Sequence, residues 1–359
     1  MSNAPVYVIA EAGVNHNGSR EMAFALVDAA AAAGADAVKF QTFNADLLAT
    51  ASAPKAGYQL ETTATTESQH AMLKRLELGR DMHYELQQHA SKRGITFLST
   101  AFDTASLKFL MDLDLPLFKV PSGEITNAPL LWQFARTGKP LVLSTGMATL
   151  SEVEFALAVV SHGLQHAEEP TSLDVVWRTW SQAKIRSQLS GHVSLLHCTS
   201  QYPTPMSEVN LRAMDTLAAS FGLPVGYSDH TEGILIPIAA VARGATIIEK
   251  HFTLDRNLPG PDHLASLEPD QLHEMVRQIR ELAQSMGDGT KSPQPSEWDT
   301  KRAARQQVVA ARDLQAGAVL TRQDLTTARA GHGQPASRLW DMIGQQTARV
   351  YRAGEVIEP

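Results

Sequence analysis

Eight short apolar runs, each followed by a stretch of helical periodicity, constrain this chain more than any other feature. The runs are VYVIAEAG (residues 6–13), ADAVKFQT (35–42), ITFLSTAF (95–102), LFKVPSG (117–123), PLVLSTGM (140–147), VSLLHCTSQYP (193–203), PVGYSDHT (224–231) and ATIIEKHFT (245–253). Rich in apolar and β-branched residues and bounded by polar or turn-forming ones, they read as buried strands. Helical segments lie between them. In SREMAFALVDAAAAAG (19–34), Ser19 can cap the start and Gly34 can stop the helix; others span 151–161, 211–220, 234–243 and 269–284. Strand–helix alternation builds a parallel sheet, and eight units can close into a (β/α)8 TIM barrel. An open doubly wound sheet is the competing architecture. The early turn EAGVNHNG (11–18) is not the GxGxxG that a dinucleotide-binding version of that sheet needs.

Two excursions break the rhythm. Residues 44–78 are long before their helix, and residues 166–191 are polar, with Trp177 and Trp180 in an expected amphipathic helix that serves local packing. The composition then changes at MGDGTKSPQPSE (286–297), where Gly, Pro, Ser and charge without periodicity read as a linker. The tail carries short apolar pieces and repeated Ala-Gly turns. The organisation expected is a barrel over 1–285, a linker over 286–306 and a small β-rich domain over 307–359, short for an independent core.

Charge and cysteine content remove several function classes. The formal net charge is −7 without a basic stripe, so nucleic acid is not expected as a partner. One cysteine, Cys198, rules out an intramolecular disulfide and suits a reducing compartment. No Lys or Arg precedes Arg20, no signal-like apolar core follows the start, and no run approaches the roughly 20 apolar residues of a membrane helix. A cytoplasmic protein without a membrane partner is the expectation.

In a barrel of this type the chemistry sits at the carboxyl ends of the strands. Strand one ends in Glu11, Asn15 and His16; strand two carries Lys39 and Gln41; strand three ends in Ser99 and Thr100. Strand four carries Lys119, Ser122 and Glu124, strand five Ser144-Thr145-Gly146, and strand six His197, Thr199, Ser200 and Tyr202. Strands seven and eight end in Ser228-Asp229-His230 and Glu249-Lys250-His251. Polar chemistry at all eight ends exceeds what solvation explains, because the strand bodies are apolar. Alternation places Lys39 with Gln41 on one face and Glu249 with His251 on one face, and turns Lys250 outward. The alternative for Lys39 is a lysine snorkelling between helices. For His197 it is a core histidine with a backbone partner. Lys39 and Lys119 supply charge for a phosphate or carboxylate, and Thr100, Ser122 and Ser144 supply short donors. His230 and His251 could bind one divalent metal in an open, oxygen-rich site that suits manganese or a similar octahedral ion better than structural zinc.

The motifs EAGVNHNG, VKFQT, KVPSGE, LSTGMAT, LLHCTSQYPTP, VNLRAMDTL, GYSDHTEG, IIEKHFTLDR and PGPDH, in order from Glu11 to about Arg280, resemble the N-acetylneuraminate (sialic acid) synthase family, which includes legionaminic acid synthases. The tail resembles that family's antifreeze-protein-like (SAF) domain. The resemblance implies condensation of phosphoenolpyruvate with the open-chain aldehyde of an N-acyl mannosamine, giving N-acetylneuraminate and phosphate. The alternative is a legionaminic acid synthase acting on 2,4-diacetamido-2,4,6-trideoxymannose. It implies that Lys39, Thr100, Lys119, Ser122 and Ser144 hold phosphoenolpyruvate, that His230 and His251 hold manganese (magnesium or cobalt substituting), and that Glu124, Glu11 and His251 are catalytic. Glu11, Gln41, Ser200, Tyr202, Asp262 and Arg329 would contact the sugar, with Arg329 reaching the partner's barrel in a domain-swapped homodimer. The chain departs from the family's usual residues at Ser200 and at His332 in RAGHG.

Three rivals remain at this stage. A phosphorylated aldose would need a second cationic pocket. A Schiff-base aldolase would use Lys39 or Lys119 as the amine. A carbohydrate-binding protein would need neither a metal nor two lysines.

Overall fold

The computed structural model describes residues 5–63 and 67–358, so part of the 44–78 excursion and the last residue lie outside the described residues. The chain divides into two compact units, Met1–Gly287 and Asp288–Pro359.

The first unit is the expected barrel. Its strands are β1 (Tyr7–Gly13), β2 (Ala37–Thr42), β3 (Thr96–Ala101), β4 (Phe118–Val120), β5 (Leu141–Ser144), β6 (Val193–His197), β7 (Val225–Asp229) and β8 (Ile247–His251). They pair in the order β3-β2-β1-β8-β7-β6-β5-β4, all parallel. The first strand lies beside the last, as closure requires. Glu11 of β1 stands opposite Lys39 of β2 on one side and His251 of β8 on the other. The ladder ends at β3 and β4, which pack side by side without a hydrogen-bonded register.

Alternation sorts the strand residues into two sets. Val8, Ala10, Val38, Phe40, Phe97 and Ile248 pack with helix residues such as Leu26, Leu86 and Met275 in the main core. Ile9, Ala37 and Leu98, with Ile247 beside them, form a separate cluster inside the barrel. Two residues further along the same strands come Glu11, Lys39, Thr100 and Glu249. The apolar layer is therefore the floor on which the ionisable one stands.

Local sequence explains the crossovers. Ser19 Oγ accepts from the Met22 amide at 3.2 Å to start the helix Arg20–Ala32, which buries Ala23, Leu26, Val27 and Ala30, and Gly34 takes φ +79° just past its end. Among the described residues, the 44–78 excursion holds three short helices, Ala45–Leu48, Gly57–Thr62 and Gln69–Leu76. The second excursion carries the helix Leu173–Trp180. There the Trp180 indole donates to Glu154 at 2.9 Å and Trp177 lies 6.2 Å from the Phe155 ring, so both serve local packing.

In the second unit, β9 (Gln307–Ala310) and β10 (Leu325–Ala328) pair antiparallel, and isolated bridges such as Leu314 to Tyr351 extend the β character. Val308, Leu314, Leu320, Leu325, Met342 and Tyr351 give it a small core of its own. The segment read as a linker is not all irregular. Trp298–Ala304, which contains neither Gly nor Pro, is helical. Among the described residues, no helix is long and apolar enough to cross a membrane.

Candidate active site

The carboxyl ends of the strands open into a cavity of about 440 Å³. At its base four buried charges form a chain. Lys39 Nζ lies 2.5 Å from Glu11 Oε2 and 3.5 Å from Glu249 Oε2, and Lys119 Nζ lies 3.0 Å from Glu249 Oε1. Lys39 also donates to Thr100 Oγ1 at 3.1 Å, and Ser228 Oγ donates to Glu249 Oε1 at 2.8 Å. Burying such charges is costly unless each is paired, and here each lysine has a carboxylate. Burial pulls the Lys39 ammonium down, but Glu11 and Glu249 outweigh it and hold its pKa above the ordinary value. Glu249 is pushed up by burial, yet Lys119 and Lys39 together keep it well below the usual carboxylate range. Glu11 faces Lys39 with less compensation, and burial raises it to about 7. Burial likewise raises Asp262 to about 6.

Next to this quartet is a cradle of short donors. The Gly146 amide donates to Ser122 Oγ at 3.0 Å, and Ser122 Oγ is 3.2 Å from Cys198 Sγ. A Cβ on Gly146 would stand 2.4 Å from Ser200 Oγ and 2.8 Å from Ser122 Oγ, so glycine keeps the cradle open. The buried Ser144 hydroxyl has no hydrogen-bond partner among the described residues, which leaves it available to a ligand.

On the β7–β8 side, the His230 and His251 rings have centroids 5.7 Å apart. His230 Nδ1 is 2.6 Å from the Thr199 carbonyl and donates to it, which leaves Nε2 as the acceptor nitrogen. His251 Nδ1 is buried without a hydrogen-bond partner, 3.9 Å from Asp262 Oδ2. Burial lowers His230 to about 4, and burial together with His230 holds His251 well below the usual value, so both imidazoles are neutral. Two neutral rings, one fixed through a carbonyl and one with an orphaned buried nitrogen, fit an open metal position. Among the described residues no three His, Cys, Asp or Glu side chains converge with ligand spacing, so other ligands would come from water or substrate. Tyr202 packs on His230 at 4.1 Å and on Tyr58 at 4.9 Å between centroids.

Of the residues given a catalytic, substrate or metal role from the sequence, the structure gathers all but Arg329. Glu11, Lys39, Gln41, Thr100, Lys119, Ser122, Glu124, Ser144, Ser200, Tyr202, His230, His251 and Asp262 all line the one cavity. Arg329 lies in the C-terminal unit, exposed, one residue past β10. Lys39 is not a snorkelling lysine, and His197, half-buried, has a backbone partner, its Nε2 2.9 Å from the Val209 carbonyl. Lys250 turns away from the cavity and pairs with Asp229 at 2.6 Å. Ser228 belongs to the site although the sequence reading gave it no role. Its signal was its place two residues before His230, on the same face of β7. Tyr58, Gln59 and a set of apolar residues from the first excursion also line the cavity.

Fold and site define a barrel enzyme whose strand ends combine a cradle of short polar groups, a buried lysine–carboxylate quartet and a histidine pair. The NeuB family model matches residues 26–291 and the SAF domain model residues 305–359; the chain belongs to the NeuB family and is a synthase of that type. The N,N'-diacetyllegionaminic acid synthase of Campylobacter jejuni is 46% identical over 98% of both chains. The Legionella pneumophila enzyme of the same name is 43% identical over 99% of this chain and 94% of its own. Among solved structures, the sialic acid synthetase of Leptospira borgpetersenii in complex with citrate is 33% identical, with a TM-score of 0.68 over 83% of this chain and 91% of that one.

Proposed function

We propose that the chain joins phosphoenolpyruvate to the open-chain aldehyde of 2,4-diacetamido-2,4,6-trideoxymannose, giving the nine-carbon 2-keto acid and phosphate. The meeting of the Lys39–Glu11–Glu249–Lys119 quartet with the His230–His251 pair in one cavity carries this reading. The near full-length likeness to two diacetyllegionaminic acid synthases favours this sugar over N-acetylmannosamine.

Lys39, Thr100, Lys119, Ser122 and Ser144 would hold the phosphoenolpyruvate carboxylate and phosphate. Glu11, Gln41, Ser200, Tyr202 and Asp262 would orient the sugar, and in a domain-swapped homodimer Arg329 of each SAF domain would reach the N-acyl group of the sugar in the other subunit's barrel. A divalent ion held by His230 and His251, manganese by the donor set, would polarise the aldehyde oxygen. Carbon 3 of phosphoenolpyruvate forms the new bond to the aldehyde carbon. Water adds at carbon 2, and the carbon–oxygen bond to phosphate breaks to leave the ketone. Glu124, oriented by the Asn127 amide at 2.6 Å, would take the proton from that water.

The rivals fit less well. A Schiff-base aldolase needs a free neutral amine, whereas Lys39 is paired with Glu11 and Glu249, and Lys119 with Glu249. A phosphorylated aldose needs further cations, and among the described residues Lys39 and Lys119 are the only lysines or arginines lining the cavity.

The test is phosphate release from phosphoenolpyruvate with a panel of N-acyl amino sugars. Chelation is expected to abolish it, and manganese to restore it, with cobalt or magnesium substituting. Undiminished turnover by metal-free His251→Ala protein would overturn the metal assignment, and release with no sugar of the panel would overturn the reaction.

A further inference from the structure

The cavity is layered. Its polar layer is made by Glu11, Gln41 and Thr100 at the ends of β1, β2 and β3. Two residues beyond Gln41 and Thr100, on the same face, come Phe43 and Phe102, so they stand roughly 6–7 Å further out. Their rings meet edge to face with centroids 6.1 Å apart. Against them fold Leu48, Met72, Leu73 and Leu76 from the first excursion, and Val14 completes the cluster. All seven of these apolar residues line the cavity. A cluster that packs like a core on one side and faces a ligand cavity on the other is a shelf for an apolar group.

The polar side chains near the shelf are engaged with one another. Gln59 Oε1 accepts from the Ala56 amide at 3.0 Å, and Gln59 Nε2 donates to Tyr58 Oη at 3.3 Å. A hydroxyl set on the shelf would lose water and gain little in return. The shelf's height above the polar layer is also the span of a six-carbon chain from its aldehyde to its far end. His251 and Gln41 meet around Gly13, where a Cβ would stand 3.2 Å from His251 Cε1 and 3.4 Å from Gln41 Nε2, so an aldehyde held near His251 starts at the polar layer, and a chain rising outward from it would bring carbon 6 to the shelf.

We propose that this shelf selects the substrate, receiving the carbon-6 methyl of a 6-deoxy amino sugar and disfavouring a hydroxyl or phosphate at that carbon. The inference rests on the reading of the site as a phosphoenolpyruvate–sugar synthase. A single added hydroxyl in an apolar pocket is discriminated by roughly ten- to a hundredfold. A phosphate brings charge, and among the described residues no lysine or arginine belongs to the shelf.

The experiment measures kcat/KM for 2,4-diacetamido-2,4,6-trideoxymannose and for the sugar that differs only by a hydroxyl on carbon 6, with phosphoenolpyruvate saturating. The wild-type protein is expected to prefer the 6-deoxy sugar by about ten- to a hundredfold, and to leave the 6-phosphate of the second sugar unused. Leu73 and Leu48 are half-buried, so Leu73→Gln and Leu48→Thr can be made without emptying a core. Each should shrink the preference about tenfold, through the sugar's KM, with the KM for phosphoenolpyruvate unchanged, while Leu73→Met keeps the preference. Equal use of both sugars by the wild type would overturn the inference and leave the condensation reading standing. A wild-type preference that both polar variants retain would also overturn it. Turnover of neither sugar would overturn the condensation reading, and the inference with it.

Discussion

At the scale of single residues, Gly146 shows how much of the site depends on what is left out. Its missing side chain lets Ser122, Ser200 and Cys198 converge. The three atoms that a methyl group would strike are side-chain hydroxyls and a thiol, which can rotate away, so Gly146→Ala should fold normally and spoil only the cradle. The expected outcome is a rise of about tenfold in the KM for phosphoenolpyruvate, the loss of roughly one hydrogen bond to an anion, with little change for the sugar. Steady-state kinetics with each substrate varied in turn checks this. A larger effect on the sugar would mean that the cradle belongs to it. Lys39, Lys119, His230 and His251 were legible in the sequence because a charge at the end of an apolar run has few cheap explanations. The Gly146 role was not legible, since a glycine in a turn usually needs only its backbone freedom. Glu249 was visible as a neighbour of His251, but that it bridges two lysines depends on three strands meeting, which no local pattern reports.

The element that most repays attention is the end of β7 and β8, on the face away from the cavity. Lys250 Nζ reaches Asp229 at 2.6 Å and also the Thr231 carbonyl; Asp229 in turn accepts from the Thr231 amide at 3.1 Å and hydroxyl at 3.0 Å. These bonds clamp the backbone on both sides of His230. Both charged side chains are fully buried, so Lys250→Met strands a carboxylate and should cost about 3–5 kcal/mol in denaturant unfolding. Adding Asp229→Asn should recover much of that loss. Additive losses in the double-mutant cycle would contradict a clamp. The period-two alternation announced that Lys250 points outward, and the strand and helix order of the barrel was readable for the same reason. The path of the 44–78 excursion was not. Its short helices have apolar faces, but where they return to the strand ends is decided by the partner surface of Phe43 and Phe102.

The whole barrel carries its own acid sensitivity. His83 is fully buried, with Nε2 2.7 Å from Thr42 Oγ1 and Nδ1 2.9 Å from the Gly79 carbonyl, and burial lowers its pKa to about 4. The unfolded chain takes up this proton near pH 6.5 and the folded one only near pH 4. The contribution to stability is therefore complete above pH 6.5 and is lost as the pH falls toward 4, at about 1.4 kcal/mol per pH unit. Unfolding free energies for wild type and His83→Gln should converge over that window, and parallel curves would assign the sensitivity elsewhere. A second property of the whole molecule follows from the end of the ladder at β3 and β4. The ring of strands has one join that backbone does not fasten. Thr100 stands on one side of that join and Lys119 on the other, and both belong to the proposed phosphoenolpyruvate site. An anion gripped by both acts as a clasp, so the barrel is expected to breathe at this join when empty and to be fastened there by its own substrate. Amides of β3 and β4 should then exchange with deuterium more slowly once phosphoenolpyruvate is added, while those of β7, laddered on both sides, stay as they were. Equal slowing everywhere would mean that the join is no looser than the rest. Where the join loosens first, the enzyme's lifetime without substrate and the occupancy of its site become one quantity, and a cell that runs short of phosphoenolpyruvate also shortens the life of the protein that consumes it.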